Sequence, residues 1–147
     1  MIRPARAGEH VAVSEVVHAA YRHYSARIGK PPGPMLDDYA QRVADDQVWV
    51  LEEAGLIVGI LVLEETPSGF LLDNVAVLPD RQGKGYGRRL MAFAEAEARR
   101  RGFAAIQLYT HALMTENIAL YRRLGFVETR RGNEKGYDRV YMTKRLV

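Results

Sequence analysis

The chain has 147 residues, with 21 Lys plus Arg against 18 Asp plus Glu and no cysteine. That length suits one compact domain able to bury roughly two-thirds of its unfolded surface, so a single domain over 1–147 is expected, without disulfides, thiolate metal ligands or thiol nucleophiles. A formal charge of +3 is too small to argue for nucleic acid, and no apolar run approaches the ~18 residues of a membrane span; with the polar start MIRPARAGEH, the expected compartment is the cytoplasm.

Ile2-Arg3-Pro4-Ala5 reads as a short edge strand, where proline is tolerated. Val13, Val16, Val17 and Ala20 recur at helical spacing and predict a helix from about Glu9 to Tyr24. The loop KPPGP at 30–34 leads into a second helix, about 35–45, carrying Leu36, Tyr39, Ala40 and Val43 on one stripe. Three β-branched runs follow, Val48–Glu52, Leu56–Glu64 and Phe70–Leu78, separated by turn sequences at 53–55 and 66–69, which predicts an antiparallel meander. Past DRQGKGYGRRL, at 80–90, Leu90, Met91, Ala94 and Ala98 define the buried stripe of a helix stopped at Gly102. Ala105–Tyr109 reads as a strand, Thr115–Leu124 as a short helix ended by Gly125, and two closing strands fall near 126–131 and 138–145.

The order β-α-α-β-β-β-α-β-α-β-β places the chain in the α/β (α+β) class, with a mixed, mostly antiparallel central sheet flanked by helices. Its single strand-helix-strand crossover should be right-handed and set strand 105–109 parallel to strand 70–78. Ligands on such sheets favour the carboxyl ends of parallel strands, and the glycine loop lies at one of them.

Gly83, Gly85 and Gly87 stand between a strand and a helix, where small residues allow close approach to the backbone. Free N–H groups of the helix start favour phosphate, and Lys84, Arg88 and Arg89 add positive charge. A tight turn with solvated basic residues is the competing explanation. Walker A and dinucleotide patterns fit poorly: Lys84 is followed by Gly85 rather than Ser or Thr, and the glycines are spaced Gly-x-Gly-x-Gly.

The segment Gln82-Gly83-Lys84-Gly85-Tyr86-Gly87, preceded by Asn74-Val75-Ala76-Val77-Leu78-Pro79, resembles the Gln/Arg-x-x-Gly-x-Gly/Ala signature of the GNAT superfamily of N-acetyltransferases. The block Asn117-Ile118-Ala119-Leu120-Tyr121-Arg122-Arg123-Leu124-Gly125-Phe126 is similar to that family's second signature, at its usual separation, and the element order follows the family's across nearly the whole chain. The resemblance implies the acyl-CoA N-acyltransferase fold and acetyl-CoA as donor. It places the pyrophosphate on the amides of Gln82, Gly83, Lys84, Gly85, Tyr86, Gly87 and Arg88. The pantetheine arm would pair like a strand with Val75 to Val77, and Asn117 would bond the pantetheine or cap its helix.

The resemblance further implies that the Val75 N–H meets the developing oxyanion and that Tyr121 is the general acid toward the CoA sulfur. A core aromatic beside Leu120 and Leu124 is the alternative for Tyr121. The position where several members carry a glutamate base is Leu71 here, so that role does not carry over; Asp73, Glu64, Glu65, His111 or water remain as bases. For the acceptor, an amine on a small molecule or a peptide, Tyr21, Tyr24, Tyr39 and Trp49 are possible walls, with the 128–139 turn, and Asp37, Asp38, Asp45 and Asp46 could attract a cation. No metal site is expected. The expected function is transfer of acetyl from acetyl-CoA to a primary amine. The alternatives are a CoA-binding regulatory module without turnover and, at low weight, a basic module for nucleic acid; homodimerisation through the closing strands is possible.

Overall fold

A computed structural model describes residues 1–146. The strands are β1 (Ile2–Pro4), β2 (Val48–Glu53), β3 (Leu56–Thr66), β4 (Gly69–Val77), β5 (Ala105–His111), β6 (Val127–Glu134) and β7 (Tyr137–Arg145). The helices are α1 (His10–Ile28), α2 (Tyr39–Ala44), α3 (Tyr86–Arg100) and α4 (Thr115–Arg123). Seven strands form one sheet in the order β1-β2-β3-β4-β5-β7-β6. Only the β4–β5 pair is parallel, because it alone is joined by a helical crossover, α3. No helix among the described residues is long and apolar enough to cross a membrane.

Helices cover both faces. On one, α1 and α2 bury Val13, Val16, Val17, Tyr21, Tyr24 and Tyr39 against Val48, Val50, Ile60 and Val62. On the other, α3 contributes Leu90, Met91, Ala94 and Ala98, and α4 contributes Ile118 and Tyr121, over Leu61, Phe70, Leu72, Ile106 and Met142. Inner strands therefore read as apolar runs: six consecutive residues of β3, Val58 to Leu63, are buried because both of its faces are covered.

Helix α1 runs past the expected Tyr24 to Ile28 and ends on Gly29, which takes φ 89° and donates its N–H to the Ser25 carbonyl. The second helix is shorter than expected. Pro32 and Pro34 favour a 3₁₀ turn over Gly33–Leu36, and α2 starts afresh where the Asp38 carboxylate accepts the Gln41 N–H.

The β2–β3 turn holds two consecutive left-handed residues, Ala54 at φ 50° and Gly55 at φ 82°. This is the two-residue geometry that matches strand twist, and alanine is a poor occupant of its first position. Replacing Ala54 with Asn, which tolerates that conformation, is expected to stabilise the chain by about 0.5–1 kcal/mol. Thermal denaturation should show a rise of a few degrees, and a lower melting temperature would contradict this reading of the turn.

The departure that shapes the site is a bulge in β4. Leu63 opposes Leu72 and Val62 opposes Asn74, so Asp73 is one extra residue with no partner. Side-chain alternation inverts across it: Phe70 and Leu72 point to the α3–α4 face, whereas Ala76 joins the α1–α2 face.

Candidate active site

Strands β4 and β5 pair only from Phe70 to Leu72 against Ile106 to Leu108. Beyond Leu72 the bulge turns β4 away, so its backbone from Asp73 to Val77 has no partner in β5. Two clefts open along this gap. One follows Val75, Ala76 and Val77 to the glycine loop and is closed by Asn117, Leu120 and Tyr121 of α4. The other lies between Asp73, Tyr109 and His111, the Pro32–Pro34 turn and the start of β7. Tyr21, Val75 and Tyr121 line both clefts, so the two spaces meet at these three residues.

In the glycine loop Gly83 and Gly85 have φ of 80° and 83°, a conformation that other residues adopt at a cost. Gly85 is the residue before α3, and no side chain caps that helix start. The N–H groups of the first turn are therefore free to meet an anion. Gly87 is different: its backbone is helical, and a β-carbon there would meet nothing within 4 Å. Nothing inside the protein requires glycine at this position, which faces the cleft. Gln82, Gly83, Gly85, Gly87 and Arg88 line the same cleft, whereas Lys84 and Tyr86 do not. Tyr86 instead lies under the Arg89 guanidinium, 5.7 Å from its ring centroid. Arg81 is tied to Glu53 at 2.9 Å and to Asp80 at 3.0 Å, so its charge is neutralised away from the loop. Gln82 donates through Nε2 to the Val77 carbonyl at 3.1 Å, fastening the loop to β4.

Asn74 is 3% exposed and holds the junction from below. Its Oδ1 accepts the Tyr21 hydroxyl at 2.8 Å and its Nδ2 donates to the Tyr39 oxygen at 3.0 Å. The Tyr21 hydroxyl also reaches the Val75 carbonyl at 3.1 Å, and Tyr39 donates to the Pro34 carbonyl. One buried amide thus joins α1, α2, the proline turn and the bulged strand. Burial pushes the Tyr21 and Tyr39 phenols well above the usual tyrosine range, so both remain neutral donors.

Tyr121 is 6% exposed and packs edge-on against Phe126, with ring centroids 5.9 Å apart. Desolvation pushes its phenol up to about 12. Asn117 also lines the glycine-loop cleft, but it does not cap α4: Met114 precedes the helix without a side-chain cap bond, and the Asn117 Nδ2 reaches the Met114 sulfur at 3.7 Å.

The four candidate bases separate. Glu65 faces Arg101 at 3.7 Å, and Glu64 is taken by Arg42 at 2.6 Å; neither lines the second cleft. Asp73 does. Its Oδ1 accepts the Tyr109 hydroxyl at 3.1 Å and its Oδ2 lies 3.2 Å from Arg42. Burial raises its pKa, against the downward pull of Arg42. His111 also lines this cleft, and burial lowers its pKa, leaving the ring neutral at pH 7. Its Nδ1 accepts the Leu113 N–H at 3.0 Å, so the neutral ring carries its proton on Nε2 and offers a donor there rather than a base.

Of the aromatics expected to wall the acceptor site, Tyr21 lines both clefts and Tyr24 lines the glycine-loop cleft, while Tyr39 lies beneath them in the Asn74 network. Trp49 belongs elsewhere: it packs on Phe93 at 4.8 Å, on the α3 side of the sheet. The acidic residues near 37–46 are likewise structural, with Asp37 paired to Arg42 at 2.9 Å and Asp38 capping α2. Tyr109, Arg139 and Met114 line the second cleft without having been singled out from the sequence. Nothing in a strand of alternating residues marks which one will face a gap that exists only because a neighbouring strand bulges.

A mixed sheet split after its parallel pair, with an uncapped glycine-rich helix start on one side and a polar pocket on the other, defines a two-substrate group-transfer site. Residues 44–128 match the Acetyltransferase (GNAT) domain. An uncharacterized N-acetyltransferase of Escherichia coli, YjgM, is 32% identical over 124 residues, covering 78% of this chain and 74% of that protein. Among solved structures, yncA of Salmonella typhimurium, a putative acetyltransferase with its cofactor acetyl-CoA, is 25% identical at a TM-score of 0.72, covering 100% of this chain and 94% of that one. The PaiA N-acetyltransferase of Thermoplasma acidophilum, in complex with coenzyme A, shares the fold at a TM-score of 0.80 with 17% identity, covering 99% and 98%. The chain belongs to the GNAT family of acetyltransferases, enzymes that use acetyl-CoA.

Proposed function

We propose that the chain forms one N-acetyltransferase domain that moves acetyl from acetyl-CoA to a primary amine by direct attack, with the thioester at Tyr21, Val75 and Tyr121. The observation that carries this is the meeting of two clefts at those residues, one built for an anionic extended donor and the other polar and tyrosine-lined. The pyrophosphate lies against the free amides from Gln82 to Arg88, with Lys84 and Arg88 supplying charge, and the pantetheine runs along Val75 to Val77 beside Asn117. Extended amides suit a strand edge that lacks its partner. The donor's supply places the reaction in the cytoplasm.

The acceptor enters beside Asp73 and loses its ammonium proton there or to water. Its lone pair attacks the carbonyl carbon, and the Val75 N–H meets the oxyanion. As the intermediate collapses the C–S bond breaks, and the Tyr121 hydroxyl supplies the proton to sulfur. A phenol held near 12 is a weaker acid than a thiol of about 8.5, so the tyrosinate regains a proton at once from the nitrogen that has just formed the amide. The amine thereby gains acetyl, and its proton ends on the CoA thiol.

Gly87 provides the test of the donor side. A Gly87→Ala substitution suits the helix, by up to about 1 kcal/mol, yet places a methyl group where the pyrophosphate lies. Melting temperature should hold or rise while acetyl-CoA affinity, measured by calorimetry, falls at least about tenfold, equivalent to 1.4 kcal/mol. Undiminished affinity would move the donor away from the glycine loop.

A further inference from the structure

The second cleft is electrically polarised. Asp73, beside the junction, is its carboxylate. At the far side stand Arg139 and His111, which oppose each other in the β5–β7 register. The Arg139 guanidinium lies over the Tyr109 ring, 4.0 Å from its centroid, while the hydroxyl of that same ring donates to Asp73. One tyrosine thus separates a carboxylate from a guanidinium.

Among the described residues, Arg139 makes no salt bridge and no side-chain hydrogen bond, unlike Arg42, whose three acidic partners lie within 3.2 Å. His111, neutral and holding its proton on Nε2, adds a second donor beside it. Asp138, the acidic group in electrostatic range of His111, is exposed and bonded to Asn133 at 3.1 Å. A cation in a pocket, stacked and without a counter-ion, calls for an anion from outside the protein.

The rim limits what that molecule is. Lys30 donates to the Gly136 carbonyl at 2.6 Å and lies over the Tyr137 ring at 4.1 Å, and Tyr137 donates to the Pro31 carbonyl. These bonds clasp the proline turn to the β6–β7 hairpin across the mouth of the pocket, favouring a compact acceptor. Between the charged ends the walls are apolar: Leu72, Leu108, Met114 and the tyrosine faces.

We propose that the acceptor is a small amino-carboxylate with an apolar body, an amino acid whose amine is presented at Asp73 and Val75 while its carboxylate pairs with Arg139 and the His111 Nε2–H. This rests on the acetyltransferase reading and deepens it by naming the class of acceptor. Arg139 is then a specificity residue: it touches the substrate but not the reacting atoms.

The experiment compares kcat/KM for free phenylalanine, methionine and leucine with their carboxamides, alongside a peptide N-terminus and a polyamine, by release of the CoA thiol. The amide's amine is the less basic, so chemistry alone favours the amide, and a preference for the free acid must come from the site. Wild-type protein is expected to prefer the acid at least about tenfold. Arg139→Gln should collapse the acid-to-amide ratio to about one or below, mainly through KM, and Arg139→Lys should restore part of it. One buried-pair contact of 1.4–2.8 kcal/mol corresponds to such a change of about 10–100-fold. A ratio at or below one in the wild type, an Arg139→Gln loss shared equally by acid and amide, or faster acetylation of the peptide or polyamine would each overturn the proposal. If acetyl-CoA binds by calorimetry but no amino acid is acetylated, the acceptor assignment fails alone; if acetyl-CoA does not bind, the acetyltransferase reading fails with it.

Discussion

Tyr121→Phe is expected to lower kcat by roughly 10²-fold, the lower end of what a positioned acid contributes, while the affinity for acetyl-CoA changes less than about twofold. The substitution removes one oxygen from a ring whose packing against Phe126 and Leu124 remains. Fold and donor cleft therefore survive, and the loss reports proton delivery to sulfur. The pH dependence separates this role from a generic one. Because desolvation holds the phenol near 12, the wild-type rate should show no falling limb from Tyr121 below about pH 11, so the wild-type and variant profiles should run parallel through the neutral range. A product with a better leaving group than CoA would narrow the gap between them. Equal kcat for the two proteins would remove Tyr121 from the chemistry and return it to the core.

Asn74→Ala should have the largest effect on stability. The amide is 3% exposed and ties Tyr21 to Tyr39, and its loss leaves a gap between two buried phenols and weakens bonds to three elements. Breaking a buried, satisfied network of this kind costs about 2–3 kcal/mol. For a chain of this length that is a fall in melting temperature of roughly 5–12 °C. Activity should drop as well, because the Tyr21 hydroxyl bonded to Asn74 also holds the Val75 carbonyl, and the neighbouring Val75 N–H is the group assigned to the oxyanion. A variant that melts with the wild type would show that the network contributes nothing measurable.

The legible parts of this protein were those written in local pattern. The stripe Leu90, Met91, Ala94 and Ala98 reports α3 because one face of a helix must meet the sheet. The alternating turns at 53–55 and 66–69 report the meander, and the parallel partner of β4 follows from the single helical crossover. Where competing signals sat together the reading slipped: Ser25 to Ile28 continues α1 because nothing stops it before Gly29, and the prolines before Asp38 divide one expected helix into a 3₁₀ turn and a short α2.

The sequence alone determined the element order, the class of the sheet and the location of the phosphate-type loop, since each depends on residues close together in the chain. The active pocket was decided only in three dimensions. Asp73 is an ordinary acidic residue in a strand until the bulge leaves it unpaired; Arg42, 31 positions earlier by number, then becomes its partner at 3.2 Å. Arg139 and His111 become neighbours through strand register. The face a side chain takes along a strand flips with every added residue, so one unpaired position redirects everything after it. Which residues meet at the gap is therefore a property of the whole sheet rather than of any segment within it.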